Sequence, residues 1–141
     1  MIRAVFDTNV LVSARLSLLG NPARCLALAN LRQIESITCQ SILDEFVEKL
    51  ISKFDYQPSR AAEAADQVRK ISRLVVVELG ETPRLVPEDA DDDKIVQCAL
   101  VGGASYIVSG DKHLLALKNY KDIAVVRPTD FLSVVAAVGF D

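Results

Sequence analysis

The chain has 141 residues, of which 50% are hydrophobic and 25% are charged, and its formal net charge is -3. This length and apolar content suit one folded domain over residues 1–141 and exclude the disordered and fibrous classes of protein. The negative charge argues against a surface that binds nucleic acid over its whole extent, because such domains are usually basic.

Short apolar segments alternate with segments of helical periodicity along the whole chain. Strands are predicted at 2–6, 34–39, 74–79, 106–108 and 123–126, and helices at 10–15, 22–31, from Ser41, at 58–73, from the acidic run 88–93 to Gly102, at 113–117 and from Pro128. Strands separated by helices imply right-handed crossovers. We therefore expect a three-layer α/β/α sandwich around a central parallel sheet.

Targeting and redox signals are sparse. The longest apolar run, near residues 131–140, is far shorter than the roughly 20 residues that cross a membrane, and no signal-peptide core precedes Asp7. Three cysteines without CxxC spacing, Cys25, Cys39 and Cys98, argue against a disulfide framework or a thiolate zinc site. We expect a cytoplasmic protein with buried free thiols and no membrane partner.

Four acidic residues are the candidate catalytic and metal-binding groups. Asp7 and Asp111 each follow a predicted strand, Glu45 lies on a helix, and Asp92 lies in the first turn of another helix. Ligands of open α/β sheets bind beyond the carboxyl ends of the strands. Asp92 shares a helix face with the apolar residues that follow it, whereas Asp93 lies about 100° further round and is the alternative ligand.

Carboxylates brought together without a cation repel one another and resist ionisation. Oxygen ligands favour Mg²⁺ or Mn²⁺, which would activate water and neutralise charge on phosphorus. A metal-activated water needs no side-chain nucleophile, and the chain has a single histidine, no GxSxG motif and no P-loop. The pattern therefore indicates hydrolysis of a phosphodiester.

Four motifs in this order resemble the PIN domain family. They are Asp7-Thr8-Asn9-Val10, Glu45 within Ser-Ile-Leu-Asp-Glu-Phe-Val, Asp91-Asp92-Asp93-Lys94, and Ser109-Gly110-Asp111-Lys112-His113-Leu114. The chain is similar over essentially its whole length to the toxin ribonucleases of toxin–antitoxin pairs. The resemblance implies a PIN-like fold, Mg²⁺- or Mn²⁺-dependent cleavage of single-stranded RNA, a homodimer, and an antitoxin protein that blocks the site. It also places Asn9 and Ser109 beside the metal, where they would orient carboxylates or water.

Other interpretations remain open. Each acid taken alone could be a helix cap or a solvated side chain, and His113 could be a general base or a surface or capping residue. Four lysines could form a basic rim that binds phosphates or could be ordinary surface residues: Lys94, Lys112, Lys118 and Lys121. The rival functions are a structure-specific DNA nuclease and a non-catalytic interaction module or receiver-like domain. Arg127-Pro128 stands where a receiver would carry a lysine, which disfavours the receiver.

Overall fold

The computed structural model describes residues 1–78 and 90–138, and the side chains of 90–92 are outside that description. The described residues form six strands and seven helices. In chain order they are β1 (Arg3–Phe6), α1 (Thr8–Leu16), α2 (Asn21–Asn30), β2 (Glu35–Cys39), α3 (Gln40–Phe54), α4 (Pro58–Lys70), β3 (Ser72–Val75), α5 (Ala90–Gly102), β4 (Tyr106–Val108), α6 (Lys112–Leu117), β5 (Asn119–Tyr120), β6 (Ile123–Val126) and α7 (Pro128–Val138).

The strands form one mixed sheet in the order β3-β2-β1-β4-β6-β5. Five strands are parallel to their neighbours, and Val5 at the centre pairs with Ile37 on one side and Ile107 on the other. The two-residue strand β5 is antiparallel to β6. The fold class is therefore α/β with a mostly parallel central sheet, as predicted, and the short antiparallel strand β5 extends that sheet at one side.

Two predicted elements differ from the structure for local reasons. The strand expected at 74–79 is observed at Ser72–Val75, because its partner β2 ends at Cys39 and Val75 is the residue that pairs with Cys39. Residue 79 lies outside the described residues. Ser41 was expected to cap α3, but the helix begins at Gln40, and the Ser41 hydroxyl shares a hydrogen bond of 3.2 Å with the Cys39 thiol instead.

Helices cover the sheet in two groups. One group is held by mutual contacts of α1 with α2 and α3, of α3 with α4, and of α2 with α7, whereas α5 packs across β1, β2, β3 and β4. Gly102 at the end of α5 permits this close approach, because a Cβ there would lie 2.5 Å from Ile37 Cγ2. Right-handed crossovers place the two groups on opposite faces of the sheet.

The buried side chains of the described residues form a single hydrophobic cluster around the sheet. Phe6 of β1 packs edge-on against Phe131 of α7 with ring centroids 5.9 Å apart. All three cysteines are buried and free, as predicted. In the described part of the chain no helix is long and apolar enough to cross a membrane.

Candidate active site

Strand order reverses at the boundary between β1 and β4, since β2 and β3 lie on one side of β1 while β4 and β6 lie on the other. A crevice forms at such a switch point beyond the carboxyl ends of the strands. Phe6 and Val108 pair at these ends, and Asp7 N–H donates to Val108 O at 3.0 Å. The register therefore brings the residues that follow both strands to one place.

Ser109 connects the two strand-end acids. Its hydroxyl donates to Asp7 Oδ2 at 2.7 Å and accepts from the Asp111 backbone N–H at 2.9 Å. Ser109 is fully buried, so its bond to Asp7 is shielded from water, whereas its bond to the Asp111 N–H is partly buried. The prediction that Ser109 orients a carboxylate agrees with this geometry, and Asp7 and Asp111 lie close enough for their charges to interact.

The surroundings of Asp7 disfavour its charged form. Only 5% of it is exposed, and this burial raises its pKa above the ordinary value of 3.8. Hydrogen bonds from the Ser109 hydroxyl and the Asn9 N–H and the charge of Lys49 lower this pKa, whereas the charge of Asp111 raises it further. Asp7 is the N-cap residue of α1, and the Ser109 hydroxyl lowers its pKa more than the Asn9 N–H at the start of that helix does.

Asp111 does act as a helix cap. Its Oδ1 accepts from the backbone N–H groups of His113 at 2.8 Å and Leu114 at 3.2 Å, at the start of α6. The two bonds fix the orientation of the carboxylate beside Ser109. Asp111 can therefore cap α6 and also bind a ligand. His113 contributes its backbone N–H to this cap.

Glu45 reaches the site from α3. Its Oε2 accepts from Thr8 Oγ1 at 2.7 Å, and its Oε1 lies 3.5 Å from Lys49 Nζ. Lys49 also donates to Asn9 Oδ1 at 2.9 Å. Asn9 is therefore linked to Glu45 through Lys49, and its role in orienting carboxylates or water stays a prediction. Sequence reasoning missed Thr8 and Lys49, although the i, i+4 spacing of Glu45 and Lys49 on one helix was a signal for the lysine.

The predicted third acid is Asp92, with Asp93 as the alternative, and both lie in the first turn of α5. The side chain of Asp92 lies outside the described residues. Asp93 in the first turn of α5 is buried, with 8% of its surface exposed. Over residues 1–78 and 93–138, no three acidic, histidine or cysteine side chains come close enough together to hold a metal ion. Asp7 and Asp111 are joined through the Ser109 hydroxyl, and their charges interact.

The donor set of Asp7 and Asp111 suits a hard divalent cation. Mg²⁺ keeps several water ligands and is commonly bound through one or two carboxylates together with substrate phosphates. A buried carboxylate whose ionisation is opposed by burial and by a second acid gains most from such an ion. Neither residue offers the nitrogen or sulfur ligands that softer metals prefer.

An open groove of about 350 Å³ lies along the other side of Glu45, and Lys94 lines it together with acidic and polar residues of α3: Ser41, Asp44, Glu45 and Glu48. Lys112 is exposed directly after Asp111. Lys121 was expected on the same rim, but it lies in the turn between β5 and β6, before β6 begins. That turn is at the opposite edge of the sheet from the strand ends that carry the acids, so Lys121 is not part of the rim.

Lys118 immediately follows α6, and its carbonyl accepts from Val125 N–H at 2.8 Å, which extends the antiparallel pairing of β5 with β6. Val125 lies one residue before the carboxyl end of β6, so the part of Lys118 in the rim stays a prediction. Lys94 lies beside Glu45, and Lys112 directly follows Asp111.

The arrangement defines an α/β protein with an acidic crevice at the switch point of its sheet. Residues 3–113 match the PIN domain family, and the chain belongs to that family. It is 31% identical over 119 residues to an uncharacterized protein of Methanocaldococcus jannaschii, a match that covers 84% of this chain and 76% of that protein. Its fold is similar to the crystal structure of PAE2754 from Pyrobaculum aerophilum, with a TM-score of 0.56, 15% identity, and coverage of 96% of this chain and 90% of the other. PIN domains are generally nucleases, which supports a hydrolase in general.

Proposed function

We propose that this protein is a divalent-metal-dependent endoribonuclease that cleaves single-stranded RNA and serves as the toxin of a toxin–antitoxin pair. The observation that carries the proposal is the junction of Asp7 and Asp111 through the buried hydroxyl of Ser109 at the switch point of the sheet. Membership of the PIN domain family supports the nuclease class.

Asp7 and Asp111 would hold the ion, with Asp92 or Asp93 approaching from the first turn of α5 and Glu45 from α3. When bound, Mg²⁺ or Mn²⁺ would supply the acidity that activates water and the charge that offsets the negative charge developing on phosphorus. The residues of the chain keep the carboxylates oriented: Ser109 holds Asp7, the α6 backbone holds Asp111, and Thr8 holds Glu45.

Substrate binding is assigned to the rim of the site. Lys94 lines the groove beside Glu45, and Lys112 is exposed next to Asp111. Two cations beside an acidic centre would attract the phosphate backbone of a single strand.

The partners follow from the toxin role. We propose that the protein forms a homodimer in the cytoplasm and that an antitoxin protein covers the acidic crevice and blocks cleavage. Induced expression of the wild type should then slow the growth of a bacterial host, and co-expression of the antitoxin or substitution of Asp7 should restore it.

The direct test is a side-by-side digestion of end-labelled single-stranded RNA and single-stranded DNA of the same sequence, with Mg²⁺, with Mn²⁺ and with EDTA. We expect metal-dependent internal cleavage of RNA and no cleavage by Asp7→Asn. Preferential cleavage of DNA would favour the DNA nuclease. A chain that binds metal, leaves both substrates intact and captures a partner would favour the interaction module. Normal cleavage by Asp7→Asn would refute the assignment of Asp7.

A further inference from the structure

Lys49 of α3 is ordered inside the acidic site. Its side chain is 19% exposed, and its Nζ lies 2.9 Å from Asn9 Oδ1 and 3.5 Å from Glu45 Oε1. Lys53, one turn further along the same helix, is exposed. Holding a lysine side chain in one position costs rotamer entropy, so the position of Lys49 requires favourable contacts in return.

The position of Lys49 follows from how two helices begin. Glu45 and Lys49 are four residues apart on α3 and therefore share one helix face. That face packs beside the first turn of α1, which contributes Thr8 and Asn9. Lys49 thus links the third turn of α3 to the start of α1, and its charge also lowers the pKa of Asp7 against the effect of burial.

The acids of the site are consequently neutralised to different degrees. Both oxygens of Glu45 have partners within the chain, Oε2 in Thr8 and Oε1 in Lys49. Asp7 and Asp111 instead repel each other, although Ser109 connects them. Lys49 therefore neutralises Glu45 within the chain, whereas the charges of Asp7 and Asp111 would be neutralised by a cation from solution.

We propose that Lys49 is a resident counter-cation, which occupies the side of the site formed by Glu45 and Asn9, where a second divalent ion would otherwise bind. The side formed by Asp7 and Asp111 is left to a single exchangeable ion. This inference rests on the proposed function, because the exchangeable ion is the metal of the proposed nuclease. Lys49 is a positioning residue, since it acts through carboxylates and not on the substrate.

Removal of the Lys49 charge should have two opposite effects. Without metal, Glu45 and Asp7 lose a nearby positive charge, so the free energy of unfolding should fall. With metal, the ion meets a more negative site in which Glu45 is released as a ligand, so the affinity should rise. A lysine with a merely structural role would produce the first effect without the second.

The experiment is a calorimetric titration of Mn²⁺ into wild type, Lys49→Met, Lys49→Arg and Lys53→Met. We expect the wild type to bind one ion per chain, and Lys49→Met to bind its first ion about tenfold more tightly and to accept a second. Lys49→Arg keeps the charge, and Lys53→Met removes an equal charge from an exposed position of the same helix. Both controls should match the wild type. Denaturant unfolding in EDTA should show Lys49→Met to be less stable, with the loss recovered in Mn²⁺.

Three results would overturn the inference. The first is an unchanged affinity and stoichiometry in Lys49→Met, and the second is a wild type that binds two ions while Lys49 is present. In either case the metal-dependent nuclease would still stand. The third is a wild type that binds no Mn²⁺, which would remove the metal from the proposed function as well. If Lys49→Met does not fold, Lys49→Gln replaces it in the titration. Lys49→Gln removes the charge but keeps a donor for Asn9, and the same results are expected.

Discussion

The acidic residues at the two edges of the central sheet have different charges around them. At the edge where the parallel strands begin, Glu35 accepts from Arg73 Nε at 2.8 Å and lies 3.7 Å from Arg3 Nε. At the edge where β1 and β4 end, Asp7 and Asp111 approach each other across Ser109. The first edge neutralises its acid with two cations from the chain, whereas the second gathers negative charge that a cation from solution can offset.

The same comparison separates stability from function. The ion pairs of Glu35 are partly exposed, so water and salt screen them and each contributes little to stability. Burial disfavours the charged form of Asp7, which lowers the stability of the folded chain when no ion is bound. This cost at one edge and its absence at the other are what the proposed function requires, because a bound ion at the carboxyl edge would offset the cost.

The largest expected effect comes from separating the charge of Asp111 from its role as a cap. Asp111→Asn keeps an oxygen that can accept from the N–H groups of His113 and Leu114 but removes the charge. We expect RNA cleavage to fall by more than about a hundredfold, because loss of a ligand should exceed the 10–100-fold typical of groups that orient ligands. The cleavage rate at saturating Mg²⁺ measures this.

Asp111→Ala is the companion variant. It removes the cap as well, so it should lose the same activity and about 1 kcal/mol of stability in denaturant unfolding. If Asp111→Asn cleaved RNA at the wild-type rate, Asp111 would have only its capping role. Asp7 would then be the only one of the two strand-end acids with a role in cleavage.

A smaller loss is expected from Ser109→Ala. Asp7 loses a donor and the Asp111 N–H loses an acceptor, so cleavage should fall by about 10–100-fold and stability by about 1–3 kcal/mol. The matched control is Ser36→Ala, since the Ser36 hydroxyl is also buried but bonds to Ser72 between β2 and β3. That variant should lose stability and keep its cleavage rate; equal rates for both variants would contradict the orienting role of Ser109.

The ends of β1 and β4 could be predicted from the sequence, and this is why Asp7 and Asp111 were singled out. The strands that precede Asp7 and Asp111 are buried apolar segments, and their observed ends at Phe6 and Val108 are the predicted ones. The strand β5 could not be predicted, because Asn119 and Tyr120 form no apolar run and depend on a turn in which Lys121 and Asp122 have positive φ.

Cross-chain contacts were the less predictable part of the site. Thr8 bonds to Glu45, 37 residues away, and Lys49 bonds to Asn9, 40 residues away, only because α1 and α3 pack side by side. A lysine four residues after a glutamate on a helix is common on protein surfaces, so this spacing alone did not mark Lys49 as part of the site. The choice of Asp92 over Asp93 stays a prediction, since the side chain of Asp92 is outside the described residues.

The stability of the acidic edge should depend on pH in a direction set by Asp7. Burial raises its pKa above 3.8, so the folded chain binds this proton more tightly than the unfolded chain. The resulting stabilisation is fully present below the unfolded pKa and is lost as the pH rises through the folded pKa. At neutral pH in EDTA, Asp7→Asn should therefore be more stable than the wild type.

The measurement is denaturant unfolding of both proteins from about pH 4 to about pH 8 in EDTA, and the advantage of Asp7→Asn should narrow toward the acidic end. Mg²⁺ should stabilise the wild type more than the variant, because the variant lacks the buried charge that the ion offsets. A variant that is less stable than the wild type at neutral pH in EDTA would show that ionised Asp7 is stabilised by its surroundings.

The smallest effect is expected at the opposite edge. Arg73→Gln removes the ion pair with Glu35 and the bond from Arg73 Nη2 to Gly102 O at 2.7 Å, which ties β3 to the end of α5. Arg73 is 47% exposed, so solvent screening should limit the loss to about 1 kcal/mol or less. Cleavage should be unchanged, because the neutralised edge holds no substrate or ion. A tenfold fall in cleavage with the fold intact would mean that the two edges are coupled through α5, and the division between them would have to be abandoned.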